Sequence, residues 1–198
     1  MGRRGGAVLL AACAVAVAVS GCAAGGGDPD PARELMGWGT VIESSAGSGE
    51  GLLCLSGVGE SAPPQCVGEP VSLRGFDWAS APEALESGGV RWFDGTVHGT
   101  WDGSALTLTR PVAVGDRTGL PPADPSELLP GTADEQTIER VMDEVDARAE
   151  VDARWLGAFS FDDHVIVVVV VDDGALQAEL DDEFGEGVAV VRSALRPA

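Results

Sequence analysis

Two histidines and one loop serine are the first side chains to consider for chemistry. His98 and His164 are the only histidines in the chain, and Ser48 stands between two glycines, far from both in sequence. A serine nucleophile needs a neighbouring base. The chain also lacks the short motifs that mark serine hydrolases, zinc proteases, phosphate loops and dinucleotide-binding turns. We therefore identify no catalytic residue and no cofactor-binding residue.

Two acidic pairs bracket a strongly apolar run near the C-terminus: Asp162-Asp163 precedes it, and Asp172-Asp173 follows it. Carboxylate oxygens can hold a hard cation such as Ca²⁺, but this spacing matches no calcium-binding loop. Turns and helix caps account for these acids, so we predict no metal site. A carboxylate pair for glycoside hydrolysis is an alternative that 32 acidic residues leave open, although nothing selects two of them.

The N-terminus combines a short basic leader with an apolar run that ends at a cysteine. Arg3 and Arg4 precede residues 7–19, all of which are apolar. This run is shorter than the roughly 20 residues that a membrane-spanning helix needs, and it matches the central region of a secretory signal peptide. The residues at its end are Val19, Ser20, Gly21 and Cys22. They resemble the lipobox of bacterial lipoproteins, which consists of an aliphatic residue, two small residues and a cysteine.

The resemblance implies that Cys22 receives a diacylglyceryl group and becomes the first residue of the mature protein. Two acyl chains anchor a protein stably, whereas one binds only marginally. Residues 1–21 are then the signal peptide, and residues 22–35 are a lipidated, flexible tether. The implied location is the extracytoplasmic face of the cell membrane. An ordinary signal peptide with a chance cysteine at the cut is the alternative.

Cys54 and Cys66 are the two cysteines that remain after Cys13 leaves with the signal peptide and Cys22 is lipidated. An even pair outside the cytoplasm favours a disulfide. A metal site with two cysteines is the alternative, but the histidines that could complete it lie far away in sequence. We therefore predict a structural disulfide between Cys54 and Cys66.

The charge of the mature part limits its partners. All 32 acidic residues lie after Cys22 with 10 of the 12 arginines, and there is no lysine, so the mature chain carries a charge of −22. Nucleic-acid affinity depends largely on basic contacts to phosphate, so we expect no nucleic-acid partner. Anionic lipid headgroups should also repel the body of the protein.

Residues 36–114 form a β-rich domain in which short β-segments alternate with turn residues. Asp94-Gly95 and Asp102-Gly103 each separate two such segments, which predicts two hairpins. About five short strands predict a small antiparallel barrel or sandwich, similar in strand count and length to the OB-fold. The tryptophans of this region are expected in the core; they are Trp38, Trp78, Trp92 and Trp101.

We predict a proline-rich linker at residues 115–131 and a compact α-β-β-α-β domain at residues 132–198. Thr132 and Glu135 fit a capping box before a helix that ends near Ala149. Residues 165–171 are seven consecutive β-branched residues, as expected of a central strand covered on both faces. Helices would cover one face. The other face is therefore a predicted interaction surface unless the β-rich domain covers it. The predicted fold class is α+β.

These features together predict a membrane-anchored extracytoplasmic lipoprotein that acts as a non-enzymatic binding or interaction module of the cell envelope. Its expected contacts are the membrane, through Cys22, and an envelope protein or cell-wall component. One alternative is a cell-envelope hydrolase with acidic catalytic residues. Another is a small solute-binding lipoprotein, although residues 22–198 are few for a two-lobed binding cleft.

Overall fold

A computed structural model describes residues 33–120, 131–161 and 163–198, together with Gly2. The predicted signal peptide, the lipidation site Cys22, most of the tether, Asp162 and the greater part of the proline-rich linker lie outside the described residues. Within the described ranges, no helix is both long and apolar enough to cross a membrane.

The first unit contains a closed barrel of five strands, which confirms the predicted small barrel. Its strands are β1 (Leu35–Glu43), β2 (Gly51–Cys54), β3 (Val71–Arg74), β4 (Leu85–Ser87), β5 (Val90–Trp101), β6 (Ala105–Leu108) and β7 (Ala113–Val114), with a 3₁₀ helix at Trp78–Ser80. Strand β1 pairs with both β2 and β5, and the closed order is β1-β2-β3-β6-β5. All neighbours are antiparallel except β3 and β6, which run parallel, so the prediction of a purely antiparallel barrel is wrong at this pair.

The hairpin predicted at Asp94-Gly95 is wrong, because β5 continues through both residues. Gly95 lies between Gly39 of β1 and Val114 of β7. A Cβ atom there would lie 2.9 Å from the carbonyl oxygen of Ala113, so glycine permits close strand approach rather than a turn. The predicted turn at Asp102-Gly103 is confirmed between β5 and β6.

Alternating side chains of the strands fill the barrel. Val41, Leu53, Val97 and Leu106 are completely buried in one cluster. Of the four tryptophans, Trp78 and Trp101 are buried as predicted, whereas Trp38 and Trp92 are only half-buried. The predicted disulfide between Cys54 and Cys66 is present, with the two Cα atoms 5.1 Å apart, and it links the end of β2 to the loop before β3.

A buried ion pair fixes the β1–β2 loop to β5. The fully buried carboxylate of Glu43 accepts hydrogen bonds from Nε and Nη2 of Arg91 at 3.0 and 2.8 Å, and from the backbone N–H of Gly49 at 2.9 Å. The guanidinium also lies 4.5 Å from the centre of the Trp78 ring. The Arg91 hydrogen bonds outweigh the opposing effect of burial and lower the pKa of Glu43 from its ordinary value of 4.5 to about 2.

The second unit has the predicted order α-β-β-α-β, followed by a short last strand. The elements are α1 (Glu135–Ala149), β8 (Trp155–Ser160), β9 (Val165–Val169), α2 (Ala175–Phe184), β10 (Ala189–Ser193) and β11 (Arg196–Pro197). Strand β9 is central and antiparallel to β8. It is parallel to β10, as expected when a helix connects two strands of one sheet. Strand β11 pairs with β1 of the barrel.

Strand β9 is covered on both faces, as its composition predicts. Val165, Val167 and Val169 pack with the helices, whereas Ile166 and Val168 join the barrel core. The barrel therefore covers the second sheet face, which is the exception that the prediction named, so this face is not free to act as an interaction surface. Leu195 completes the contact, because it is 1% exposed and lies against Gly37 of β1. This packing places the segment after β10 beside β1.

The N-cap of the first helix lies two residues later than predicted. Asp134 is the N-cap and accepts a hydrogen bond from the N–H of Thr137, while the Thr132 hydroxyl donates to the carbonyl of Glu186. The capping box is therefore wrong, because Thr132 joins the α2–β10 turn instead. At the second helix, Asp172 and Asp173 accept from first-turn N–H groups as predicted.

Candidate functional site

The residues first considered for chemistry are not brought together. His98 lies half-buried on β5, and burial, followed by the nearby Arg110 charge, lowers its pKa. His164 is 6% exposed before β9; its Nδ1 lies 2.7 Å from the Asp163 carboxylate and its ring stacks on Phe161. Ser48 is exposed in the β1–β2 loop and hydrogen-bonds within it. No catalytic arrangement links these residues within the described part of the chain.

The acidic pairs have local roles. The pKa of Asp163 is lowered mainly by its hydrogen bond with His164, and Asp172 and Asp173 serve the start of α2. Among the residues that the structure describes, no group of three or more His, Cys, Asp or Glu side chains could hold a metal ion.

A cleft of about 300 Å³ lies where the barrel meets the second unit. Its described lining contains three of the ten arginines of the mature chain and no acidic residue. These arginines come from the segment after β7, from β10 and from β11; they are Arg117, Arg192 and Arg196. The concentration of positive charge contrasts with a mature chain that has three times as many acids as arginines. We call this site the arginine cleft.

Strand alternation places Trp38 in the arginine cleft. Leu35 and Val41 point into the barrel core, so Met36 and Trp38 lie on the other face of β1 and line the cleft. The guanidinium carbon of Arg117 lies 4.4 Å from the centre of the Trp38 ring. The residue before Arg117 is held in place, because the carbonyl of Asp116 accepts a hydrogen bond from the Thr96 hydroxyl. Arg117 therefore projects from a fixed turn over Trp38.

Arg192 lines the same cleft from β10 of the second unit. Arg192 is paired with Val168, on the barrel-facing side of the sheet. Phe159 lies on the same side, across β9, and its ring centre is 5.5 Å from the Arg192 guanidinium carbon. Arg196 is paired with Met36 at the start of β1. The arginine cleft therefore exists only because the C-terminal strands dock against β1.

The arrangement suits an anion. A guanidinium stacked on an aromatic ring uses its flat face for that contact, and its N–H donors point outward in the plane. Carboxylate and phosphate oxygens accept such donors in pairs. The guanidinium of Arg117 lies over the Trp38 ring, and that of Arg192 lies over the Phe159 ring. The hydroxyl of Ser193, also in the lining, accepts a hydrogen bond from the backbone N–H of Asp172.

A second junction cavity has a different character. It measures about 430 Å³ and lies between β3, the β5–β6 turn and the segment before β8. Its charged lining consists of Glu69, Asp152 and Arg154, and the last two form an ion pair at 2.7 Å. This cavity therefore has no excess of positive charge.

Sequence reasoning did not find the arginine cleft, because its charged residues and its aromatic residues are scattered from position 38 to position 196. The one available signal is the rarity of basic residues, together with two arginines four positions apart near the C-terminus. Comparison of the chain with protein-family models, with curated proteins and with solved structures found no match.

Proposed function

We propose that the protein is a lipid-anchored, extracytoplasmic binding module of the cell envelope that holds an anionic group in the arginine cleft. The observation that carries this proposal is the lining of that cleft, which has three arginines and no acid among its described residues, in a strongly acidic chain. The lipobox-like residues that end at Cys22 support the location.

The barrel supports an OB-like identity through its connectivity. Strands β1, β2 and β3 form an antiparallel meander, β6 runs parallel to β3, and β5 returns to close against β1. OB-folds bind ligands mainly on the face of their second and third strands and on adjacent loops. In this chain β3 and the β5–β6 turn border the second unit. The arginine cleft on β1 is therefore our preferred site.

The chemistry of the cleft favours binding over hydrolysis. Hydrolysis of a glycosidic bond requires two carboxyl groups that face one another, whereas the described lining offers guanidinium, aromatic and aliphatic groups. Arginine side chains at this site would neutralise and orient a ligand without a proton transfer step.

A calorimetric titration with inorganic phosphate and with acetate tests the binding function. We expect saturable binding of at least one anion, weakened about tenfold or more in Arg117→Gln, since tenfold corresponds to about 1.4 kcal/mol. Arg74→Gln is the matched control, because Arg74 forms an ion pair with Asp102 on the exposed barrel surface. Equal affinity in both variants, or no saturable heat, would overturn the assignment.

A separate experiment tests the location. Cys22→Ser should abolish acyl labelling and release the protein from, or mislocalise it within, the membrane fraction. Unchanged acyl labelling in that variant would refute the lipid anchor while leaving the binding site untouched.

A further inference from the structure

We propose that the ligand of the arginine cleft is the phosphate of an anionic lipid headgroup in the same membrane that holds Cys22. This inference rests on the proposed function and narrows its anionic group to a phosphodiester.

The first argument is position. Met36 and Gly37 line the cleft, and β1 begins at Leu35, so the cleft lies beside the point where the tether enters the fold. From Cys22 to Leu35 a fully extended chain spans at most about 45 Å. A lipidated Cys22 therefore keeps the cleft close to a bilayer surface. Short flexible linkers give effective concentrations on the order of millimolar, so even a weak headgroup site would be occupied.

The second argument is charge. An anionic bilayer repels a body with a charge of −22, yet three of the ten arginines of that body line one cleft. Basic residues close to an anionic membrane surface are attracted to it. The orientation with least repulsion therefore turns the arginine cleft toward the membrane. The repulsion between the acidic body and the membrane then favours one orientation of the protein, in which the arginine cleft faces the bilayer.

The third argument is the match between lining and headgroup. The guanidinium of Arg117, which lies over the Trp38 ring, carries paired N–H donors of the kind that phosphate oxygens accept. Met36, Leu55 and Val168 supply apolar surface for the glycerol part, and Trp38 is of a type enriched at membrane interfaces. A volume of about 300 Å³ is at the lower end of ligand pockets. That size fits a small headgroup rather than a large soluble ligand.

Vesicle flotation of the full chain carrying Cys22→Ser tests the inference without the acyl anchor. The vesicles contain phosphatidylcholine alone or phosphatidylcholine with phosphatidylglycerol, and inorganic phosphate and glycerol phosphate are titrated in parallel. The test variant adds Arg117→Gln and Arg192→Gln. The matched control adds Arg74→Gln and Arg140→Gln, the same charge change away from the cleft. All variants carry the same N-terminal leader, so differences in flotation between them report on the cleft.

We expect binding to the phosphatidylglycerol vesicles to fall at least tenfold in the test variant and less than twofold in the control. Leu120→Glu adds an acid to the cleft and leaves Arg117 and Arg192 unchanged, and it should reduce binding similarly. This variant keeps the test decisive if the variant with both arginines replaced does not fold. Equal flotation of all variants, with soluble phosphate still bound through Arg117, would overturn the lipid inference and leave the proposed function standing. Equal flotation with no phosphate binding would overturn both.

Discussion

Replacing Glu43 by alanine leaves the guanidinium of Arg91 and the N–H of Gly49 without their shared acceptor. Removing one partner of a buried ion pair costs roughly 3–5 kcal/mol. The Arg91 side chain is 34% exposed and can regain water, so we place the loss at the lower end, about 3 kcal/mol. Glu43→Gln keeps the shape and one acceptor oxygen, so its loss should be smaller, at the lower end of about 1–3 kcal/mol.

Denaturant unfolding followed by tryptophan fluorescence measures these losses as free energies of unfolding. Glu50→Gln is the matched control, because Glu50 is exposed in the same loop and its carboxylate accepts a long hydrogen bond from the Ser44 hydroxyl, at 3.2 Å. Its effect should stay within about 0.5 kcal/mol. A loss below about 1 kcal/mol for Glu43→Ala, or an equal loss for Glu43→Gln, would refute the reasoning.

The same pair predicts a pH dependence with a defined sign. Folding lowers the pKa of Glu43 from 4.5 to about 2, so the ionised carboxylate stabilises the native state fully above pH 4.5. That contribution is lost as pH falls from 4.5 toward 2. The stability difference between the native sequence and Glu43→Gln should therefore narrow across this range. A constant difference would show that the charge of Glu43 does not matter.

Three further predictions concern the rest of the fold, and each is measured by denaturant unfolding. Replacing Cys54 and Cys66 by serine should cost roughly 3 kcal/mol, because the disulfide closes a short loop; no loss would contradict the loop-closure argument. Asp134→Ala should cost about 1 kcal/mol through the lost helix cap, and more than Thr132→Ala. A larger loss for Thr132→Ala would instead support the predicted capping box at Thr132. Leu195→Ala should cost about 2–5 kcal/mol, and a value below this range would show that the two units do not depend on this contact.

The second unit could be predicted from sequence because its signals are local. Residues 165–171 carry no polar position, which is enough to place β9 in the middle of a sheet. The spacing of Ile138, Val141 and Val145 is helical, and these side chains do form the inner face of α1. Such patterns depend on neighbours within one element, so no knowledge of the partner surface is needed.

The wrong predictions occur where a distant contact decides the outcome. Asp94-Gly95 has the composition of a hairpin turn, yet the Asp94 carboxylate accepts a hydrogen bond from the Thr40 hydroxyl of the neighbouring strand β1, and Gly95 lies between two other strands. Thr132 fits a capping box, yet it hydrogen-bonds the α2–β10 turn. In both cases local propensity is overridden by tertiary packing.

The arginine cleft belongs to the same class of features. Trp38 and Arg117 meet because β1 turns one face outward and the segment after β7 crosses it, while Arg192 arrives only when the second unit docks. Spacing along the chain does not encode such a meeting. The rarity of basic residues suggests that a cluster of arginines would matter, but it does not indicate where in the fold they meet.

The most direct test of the central claim is a phosphate titration of the ¹⁵N-labelled Cys22→Ser chain that follows the indole N–H signals of its tryptophans. Trp38 lies in the arginine cleft under Arg117, whereas Trp78 is buried in the barrel core beside Phe76. We predict a saturable shift of the Trp38 signal that Arg117→Gln abolishes, with the Trp78 signal unchanged. A Trp38 signal that does not respond to phosphate, or that moves equally in Arg117→Gln, would contradict the assignment of the cleft as an anion site.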